Sequence, residues 1–316
     1  MTQVGVAGLG HWGPNLARNF NDLAELGWIC DQSAERLTEL SPRYPEATAT
    51  ASFEEMLGDD SLDAVVISTP VPTHYELAKQ ALEAGKHVLV EKPPAMRAAE
   101  MDELVALAAD RDLVLMPGHL LLYHPGVQKL KELIDAGELG EVRVIYGNRQ
   151  NLGIVRTNEN ALWSLGVHDL SVILYLLGED PDVVTAQGRG FVTPGVEDVV
   201  FCYLGFPSGK IAHMHLSWLD PHKMRRMTVV GSEKMAVFDD MEAERKVTLY
   251  EKRAAADGAH TGDIHSPKIA STEPLRLECE HFLRLVAGDG DRRKVAADGA
   301  MVVRALQQLT DSLGAG

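Results

Sequence analysis

The chain has 316 residues, is 45% hydrophobic and carries a formal net charge of −16, with 46 acidic against 30 basic side chains. That length and apolar content can bury the cores of two domains, while the acidic balance argues against nonspecific attraction to nucleic acid or to an anionic membrane. Three scattered cysteines, Cys30, Cys202 and Cys279, lack C-x-x-C spacing, which fits a reduced compartment and no structural zinc. No run approaches 18 apolar residues and no basic-then-apolar leader opens the chain, so the expectation is a cytoplasmic protein with no membrane partner.

In chain order, apolar runs predict strands over 3–7, 26–30, 64–68, 87–90 and 113–116, alternating with helices near 12–21, 33–40, 73–84 and 98–110. Ser33 and Thr73 are placed to cap helix starts. Strict alternation of this kind predicts a doubly wound parallel sheet of Rossmann type over residues 1–120. Past that point the pattern changes. A helix is expected over 125–136, a strand over 142–149 and a helix over 165–177, then strands near 183–189, 198–204, 210–217, 225–231, 235–239 and 246–250. Short turns such as Pro207-Ser208-Gly209 make that sheet large, open and mostly antiparallel, so residues 121–316 read as an α+β domain. Residues 252–273 read as a long loop, and Leu275–Ala287 and Ala296–Leu313 as helices.

The first motif is Gly8-Leu9-Gly10-His11-Trp12-Gly13, which follows a strand and opens a helix, as a dinucleotide-binding turn requires. Gly8 suits the tight turn, Gly10 the approach of a pyrophosphate and Gly13 the packing of helix on sheet, with phosphates resting on the free N–H groups of the helix start. Asp31 lies 18 residues after Gly13. A carboxylate there can accept the ribose hydroxyls and repel a 2′-phosphate, favouring NAD over NADP, although Arg36 offers a weaker route to the phosphorylated cofactor.

The second motif is Glu91-Lys92-Pro93-Pro94 at a strand end, the edge of an open α/β sheet where ligands bind. Lys92 has two readings. It is either a solvated lysine paired with Glu91, or a donor to a sugar hydroxyl that moves a proton once desolvation or a cation lowers its pKa. His168, opening an apolar helical segment in Trp163-Ser164-Leu165-Gly166-Val167-His168-Asp169, is either a structural histidine or a second proton carrier. Arg149, Asn151 and Arg156 supply polar and cationic groups suited to a phosphate or a polyhydroxylated ligand, or else a solvated strand face. Lys223, Arg225 and Arg226 form another such patch, and His119, Tyr123 and His124 stand at the domain crossing. No metal spacing occurs.

Taken in order, these motifs resemble the Gfo/Idh/MocA family of NAD(P)-dependent sugar and cyclitol oxidoreductases, over essentially the whole chain. The glycine loop through His11 and Trp12, Thr69-Pro70 with His74, Glu91-Lys92-Pro93 and His168 each match a family motif. The resemblance implies hydride transfer with Lys92 and His168 as catalytic residues and a cis Lys92–Pro93 bond. It also implies a cofactor site including Thr69, Pro70, His74 and Glu91, and a substrate site including His119, Tyr123, Arg149, Asn151, Arg156 and Ser164. Ser164 departs from the pattern: many members carry an aspartate four residues before the histidine. The stretch from Asn148 to Asp169 resembles the nucleotide-sugar branch, which implies oxidation of the C3 hydroxyl of a UDP-hexose. An inositol or free-sugar dehydrogenase, a 3-ketosugar reductase and a catalytically silent NAD- or sugar-binding protein are the competing readings. A homodimer or homotetramer joined through the outer face of the second sheet is the expected assembly.

Overall fold

A computed structural model describes residues 1–153, 159–256 and 258–314. The chain divides into two compact units, Met1–Leu120 with Glu273–Arg304, and Leu121–Thr272 with the residues from Ala305 on.

The first unit runs β1 (Gln3–Ala7), α1 (Gly13–Leu23), β2 (Glu25–Cys30), α2 (Ala34–Leu40), β3 (Thr48–Thr50), α3 (Phe53–Leu57), β4 (Ala64–Ile67), α4 (His74–Glu83), β5 (His87–Glu91), α5 (Ala98–Asp110) and β6 (Leu115–Gly118). The strands form a six-stranded sheet in the order β3-β2-β1-β4-β5-β6, every pair parallel. Val65, Val66, Ile67, Val88 and Val90 are fully buried, so both faces of the central strands are covered, as an all-parallel sheet demands. Strand order reverses between β1 and β4, the crevice position where doubly wound sheets bind ligands. Sequence periodicity missed β3 and α3, which are only three and five residues long, too short to display a period.

The second unit runs α6 (Pro125–Asp135), β7 (Val142–Leu152), a wide π turn over Leu162–Gly166, α7 (Val167–Leu177), and the strands β8 (Val183–Arg189), β9 (Val199–Gly205), β10 (Ile211–Ser217), β11 (Leu219–Gly231), β12 (Met235–Asp239), β13 (Val247–Ala255) and β14 (Gly258–His265). They pair as β14-β13-β12-β11-β7-β10-β9-β8, antiparallel except for the central β7–β10 pair. Along β9 and β10 buried and exposed residues alternate, which leaves one face packed and the other open. α7 is buried almost all round, from Leu170 through Leu174, as its mostly apolar composition past Asp169 requires.

Two expectations need correction. Residues 252–255 and 258–265 are not loop: β13 and β14 pair from Leu249↔His265 to Ala255↔Gly258. β14 is exposed along its whole length, so this edge strand has no buried face to impose an apolar period of two. The C-terminal segment Glu273–Arg304, assigned by sequence to the second domain, belongs instead to the first unit. There α8 (Pro274–Val286) lays Phe282 edge-on against Phe20 of α1, ring centroids 6.0 Å apart. The first half of α9 (Arg292–Gly314) adds Ala296, Ala300 and Val303 to the core around Met101, Leu104 and Ala108.

Candidate active site

In the first unit the glycine loop, the Thr69-Pro70 segment and Glu91-Lys92 all leave the carboxyl ends of adjacent strands β1, β4 and β5. Gly8 has φ of +90°, and a Cβ there would meet the backbone of Ser68 at 2.6 Å; a Cβ on Gly13 would overlap the Gly8 carbonyl oxygen. Both glycines are therefore required by the protein itself. Gly10 is different, because a Cβ there meets no protein atom within 4 Å. The first turn of α1 has no side-chain cap; Pro14 carries no N–H and the Asn15 and Leu16 N–H groups donate to the Trp12 carbonyl at 3.0 and 3.4 Å, so an anion would approach this helix start at Gly13. Open space at Gly10 beside the start of α1 fits a dinucleotide pyrophosphate. Asp31 stands at the end of β2, its Oδ2 accepting from Leu9 N at 2.6 Å and its Oδ1 from Ser33 N at 2.8 Å. It braces the loop with one lone pair on each oxygen and keeps a second for ribose hydroxyls. His11 is exposed and Trp12 partly so.

His74 is buried, with Nδ1 2.8 Å from the Pro93 carbonyl and Nε2 2.7 Å from the Thr69 carbonyl. Both ring nitrogens thus face backbone carbonyls, and the one N–H of the neutral ring donates to one of the two. Burial holds its pKa below the usual value against the opposing pull of those carbonyls, and the residue clamps the turn after β4 to the turn after β5 without a nitrogen left for a cofactor. The Lys92–Pro93 bond is cis. Glu91 keeps some exposure as a residue while its carboxyl is enclosed: burial raises that carboxyl to about 7, against the favourable field of Lys92 and hydrogen bonds from the Lys92 N–H, at 3.2 Å, and the Trp12 side chain. Gly118 on β6 lets Glu91 approach, since a Cβ there would lie 3.2 Å from the Glu91 Cα. His119 follows at once. It is buried, its Nε2 has no hydrogen-bond partner, and burial followed by the charge of Lys92 lowers its pKa to about 4. A neutral imidazole beside a lysine can donate to or accept from a hydroxyl.

In the second unit His168 is the second residue of α7, partly exposed, and Ser164 sits in the preceding π turn, buried with its Oγ unpartnered. Tyr123 ends a single 3₁₀ turn before α6. Arg149 and Asn151, expected to bind substrate, are engaged internally. Arg149 donates from Nε at 2.8 Å and from its terminal nitrogen at 2.6 Å to Oδ1 of Asp169, both side chains buried. This ion pair ties β7 to the first turn of α7, beside His168. Gly147 makes it possible, because a Cβ there would lie 2.8 Å from Asp169 Oδ2. Asn151 accepts through Oδ1 from Arg225, 2.6 Å away, and Arg225 also donates to the Gln150 carbonyl at 2.8 Å. Burial and the charge of Arg149 lower Arg225 to about 10. Arg225 faces this packed side while Arg226 lies on the open side of the sheet with Tyr146 and His215. Arg156 lies outside the described residues. His124 caps α6, accepting from Gly126 N at 3.0 Å, which accounts for its burial.

Among the described residues no group of three His, Cys, Asp or Glu side chains is placed to hold a metal ion, and no helix is long and apolar enough to cross a membrane. Residues 2–119 match the oxidoreductase family with NAD-binding Rossmann fold, and residues 127–237 the GFO/IDH/MocA C-terminal domain. The chain is 30% identical over 306 residues to UDP-N-acetylglucosamine 3-dehydrogenase of Acidithiobacillus ferrooxidans, covering 96% of this chain and 94% of that one. A crystal structure of that enzyme superposes with a TM-score of 0.87 at 28% identity, over 99% of this chain and 98% of the other. Myo-inositol 2-dehydrogenase of Thermotoga maritima is 27% identical over 263 residues, 79% of each chain. The glycine loop, the Glu91-Lys92-cis-Pro93 strand end, the mostly antiparallel second sheet and these relatives agree, and the chain belongs to the Gfo/Idh/MocA family of oxidoreductases.

Proposed function

We propose that the protein is an NAD-dependent dehydrogenase that oxidises the C3 hydroxyl of a nucleotide hexose, a UDP-sugar above all. The observation that carries this reading is Lys92, set on a cis-proline turn at the strand end beside a neutral buried His119 and an enclosed Glu91. When bound, the nicotinamide supplies the hydride acceptor. Gly8, Gly10 and Gly13 with the start of α1 would hold its diphosphate, and Asp31 its ribose, the carboxylate disfavouring a 2′-phosphate. His11, Trp12, Thr69, Pro70 and Glu91 would border the cofactor, with His74 shaping their turns.

Lys92 takes the hydroxyl proton as the C–H bond breaks, and His168 is the second proton carrier. Ser164, without a charge of its own, leaves that work to these two. His119 and Tyr123 would contact the sugar, while Arg149, engaged by Asp169, and Arg225, engaged by Asn151 and the Gln150 carbonyl, would shape its surroundings. The nucleotide-sugar reading draws on the 3-dehydrogenase relative that matches nearly the whole chain; the inositol dehydrogenase relative supports the cyclitol reading over a shorter span. Like subunits would associate through the open face of the second sheet, where Phe201 and Tyr203 are exposed and Phe201 stacks on His215 at 4.3 Å.

Following NADH absorbance with UDP-sugars, free hexoses and inositols separates the readings. Turnover of UDP-sugars supports the proposal; turnover confined to free inositols or hexoses sinks it.

A further inference from the structure

Glu278 lies on α8 within the stripe formed by Leu275, Cys279, Phe282 and Leu285, all buried. It is itself 1% exposed, and neither carboxyl oxygen has a hydrogen-bond partner. A carboxylate so placed must be neutralised or paired, because an isolated buried charge is too costly to keep. The charged group whose field reaches it is Glu91, the residue before Lys92. Two enclosed carboxyls that sense each other do not both ionise near neutral pH.

Which of the two keeps the proton follows from their surroundings. Glu91 accepts from the Lys92 N–H and from the Trp12 side chain and has the Lys92 cation beside it. Glu278 has none of these. The other groups nearby do not change the balance. Cys279, on the same helix, is buried and its thiol is pushed up by burial and by the carboxyls around it. Glu273, at the start of α8, holds Arg18 of α1 at 2.5 Å in a half-exposed ion pair. His119, at the end of β6, stays neutral.

We propose that Glu278 is a positioning residue of the site: buried in the apolar stripe of α8 with no hydrogen-bond partner, it is a neutral carboxylic acid within the field of Glu91, and it leaves the Glu91 carboxylate as the negative charge facing Lys92 and Trp12. Burial and the Glu91 charge raise Glu278 well above the usual carboxylate range, while Glu91 titrates near 7. Glu91 therefore loses its proton before Glu278 does. A second negative charge here would raise the proton affinity of Lys92 and keep it charged, unable to accept a hydroxyl proton. That catalytic consequence rests on the proposed dehydrogenase reading; the protonation state does not.

Infrared difference spectra of the folded full-length protein across pH test it. The carbonyl band of a protonated carboxylic acid should persist well above neutral pH in the wild type and in Glu91→Gln, and be missing in Glu278→Gln. Absence of such a band in wild type and Glu91→Gln above pH ~8, a unit past the Glu91 transition, overturns the proposal, whether or not Glu278→Gln folds. In kinetics, Glu278→Gln should keep kcat within about threefold at neutral pH and lose an alkaline decline that the wild type shows. A fall in kcat beyond about tenfold with an unchanged melting temperature would overturn the assignment of Glu278 as neutral. Absence of turnover in every form would count against the dehydrogenase reading while the spectra still decide the protonation.

Discussion

Replacing Asp169 with Asn tests whether Arg149 is a structural partner or a substrate ligand. The substitution preserves shape but leaves the Arg149 guanidinium buried without its counter-ion. Breaking one side of a buried ion pair costs about 3–5 kcal/mol. The upper end is expected here, because Arg225 also lies within reach of both Arg149 and Asp169 and would repel an uncompensated Arg149. Against a total stability on the order of 5–15 kcal/mol, the second unit should melt about 10–20 °C lower, at roughly 2–4 °C per kcal/mol. The double change Arg149→Met with Asp169→Leu removes both charges and should recover most of the loss, since apolar replacement of a buried pair is close to neutral or better. Calorimetry and urea melts read the first part; KM for the sugar reads the second. A melting shift under ~2 °C for Asp169→Asn would refute the buried-pair argument. A stable double variant whose KM rises about tenfold or more would show that Arg149 contacts substrate after all.

Other consequences follow from the first unit. Gly10→Ala should fold with an unchanged melting temperature, because its Cβ meets no protein atom, yet bind NAD at least about tenfold more weakly by calorimetry; equal affinity would remove Gly10 from the phosphate site. Lys92→Ala should lose about 10²–10⁴-fold in kcat with NAD affinity changed far less, as separate binding and turnover assays will show. Glu91, with a folded pKa of about 7, binds a proton more tightly folded than unfolded, so stability should fall as pH rises from about 4.5 to 7, by on the order of 3 kcal/mol, and Glu91→Gln should flatten that slope in pH-dependent melts. For His119 the sign is opposite: a folded pKa of about 4 means stability is lost as pH falls from about 6.5 to 4. His119→Asn should be less acid-sensitive in the same melts.

The first sheet was legible because each of its main strands is a continuous apolar run followed by a turn signal, and the glycine loop stands between two of them. The cis bond came from the family resemblance, not from the residues. The second sheet was legible where one face is buried, as in β9 and β10, and illegible at β14, which has no buried face. Burial of Arg149 could not be read from spacing, since a cationic strand residue looks the same whether it faces solvent or an aspartate twenty positions away. Gly147 and Asp169 carried a trace of it: a glycine inside a strand signals close approach by another group. Glu278 also left a mark, as an acid placed in the helical stripe of Leu275, Cys279 and Phe282, where only apolar residues are expected.

Transfer of deuterium is the most direct test of what the protein does. Incubated with NAD and a UDP-N-acetylhexosamine deuterated at C3, the wild type should deliver deuterium to the nicotinamide and leave a 3-keto nucleotide sugar, and Lys92→Ala should not. Unlabelled NADH from that substrate, or label transferred only from free inositols, would contradict the account.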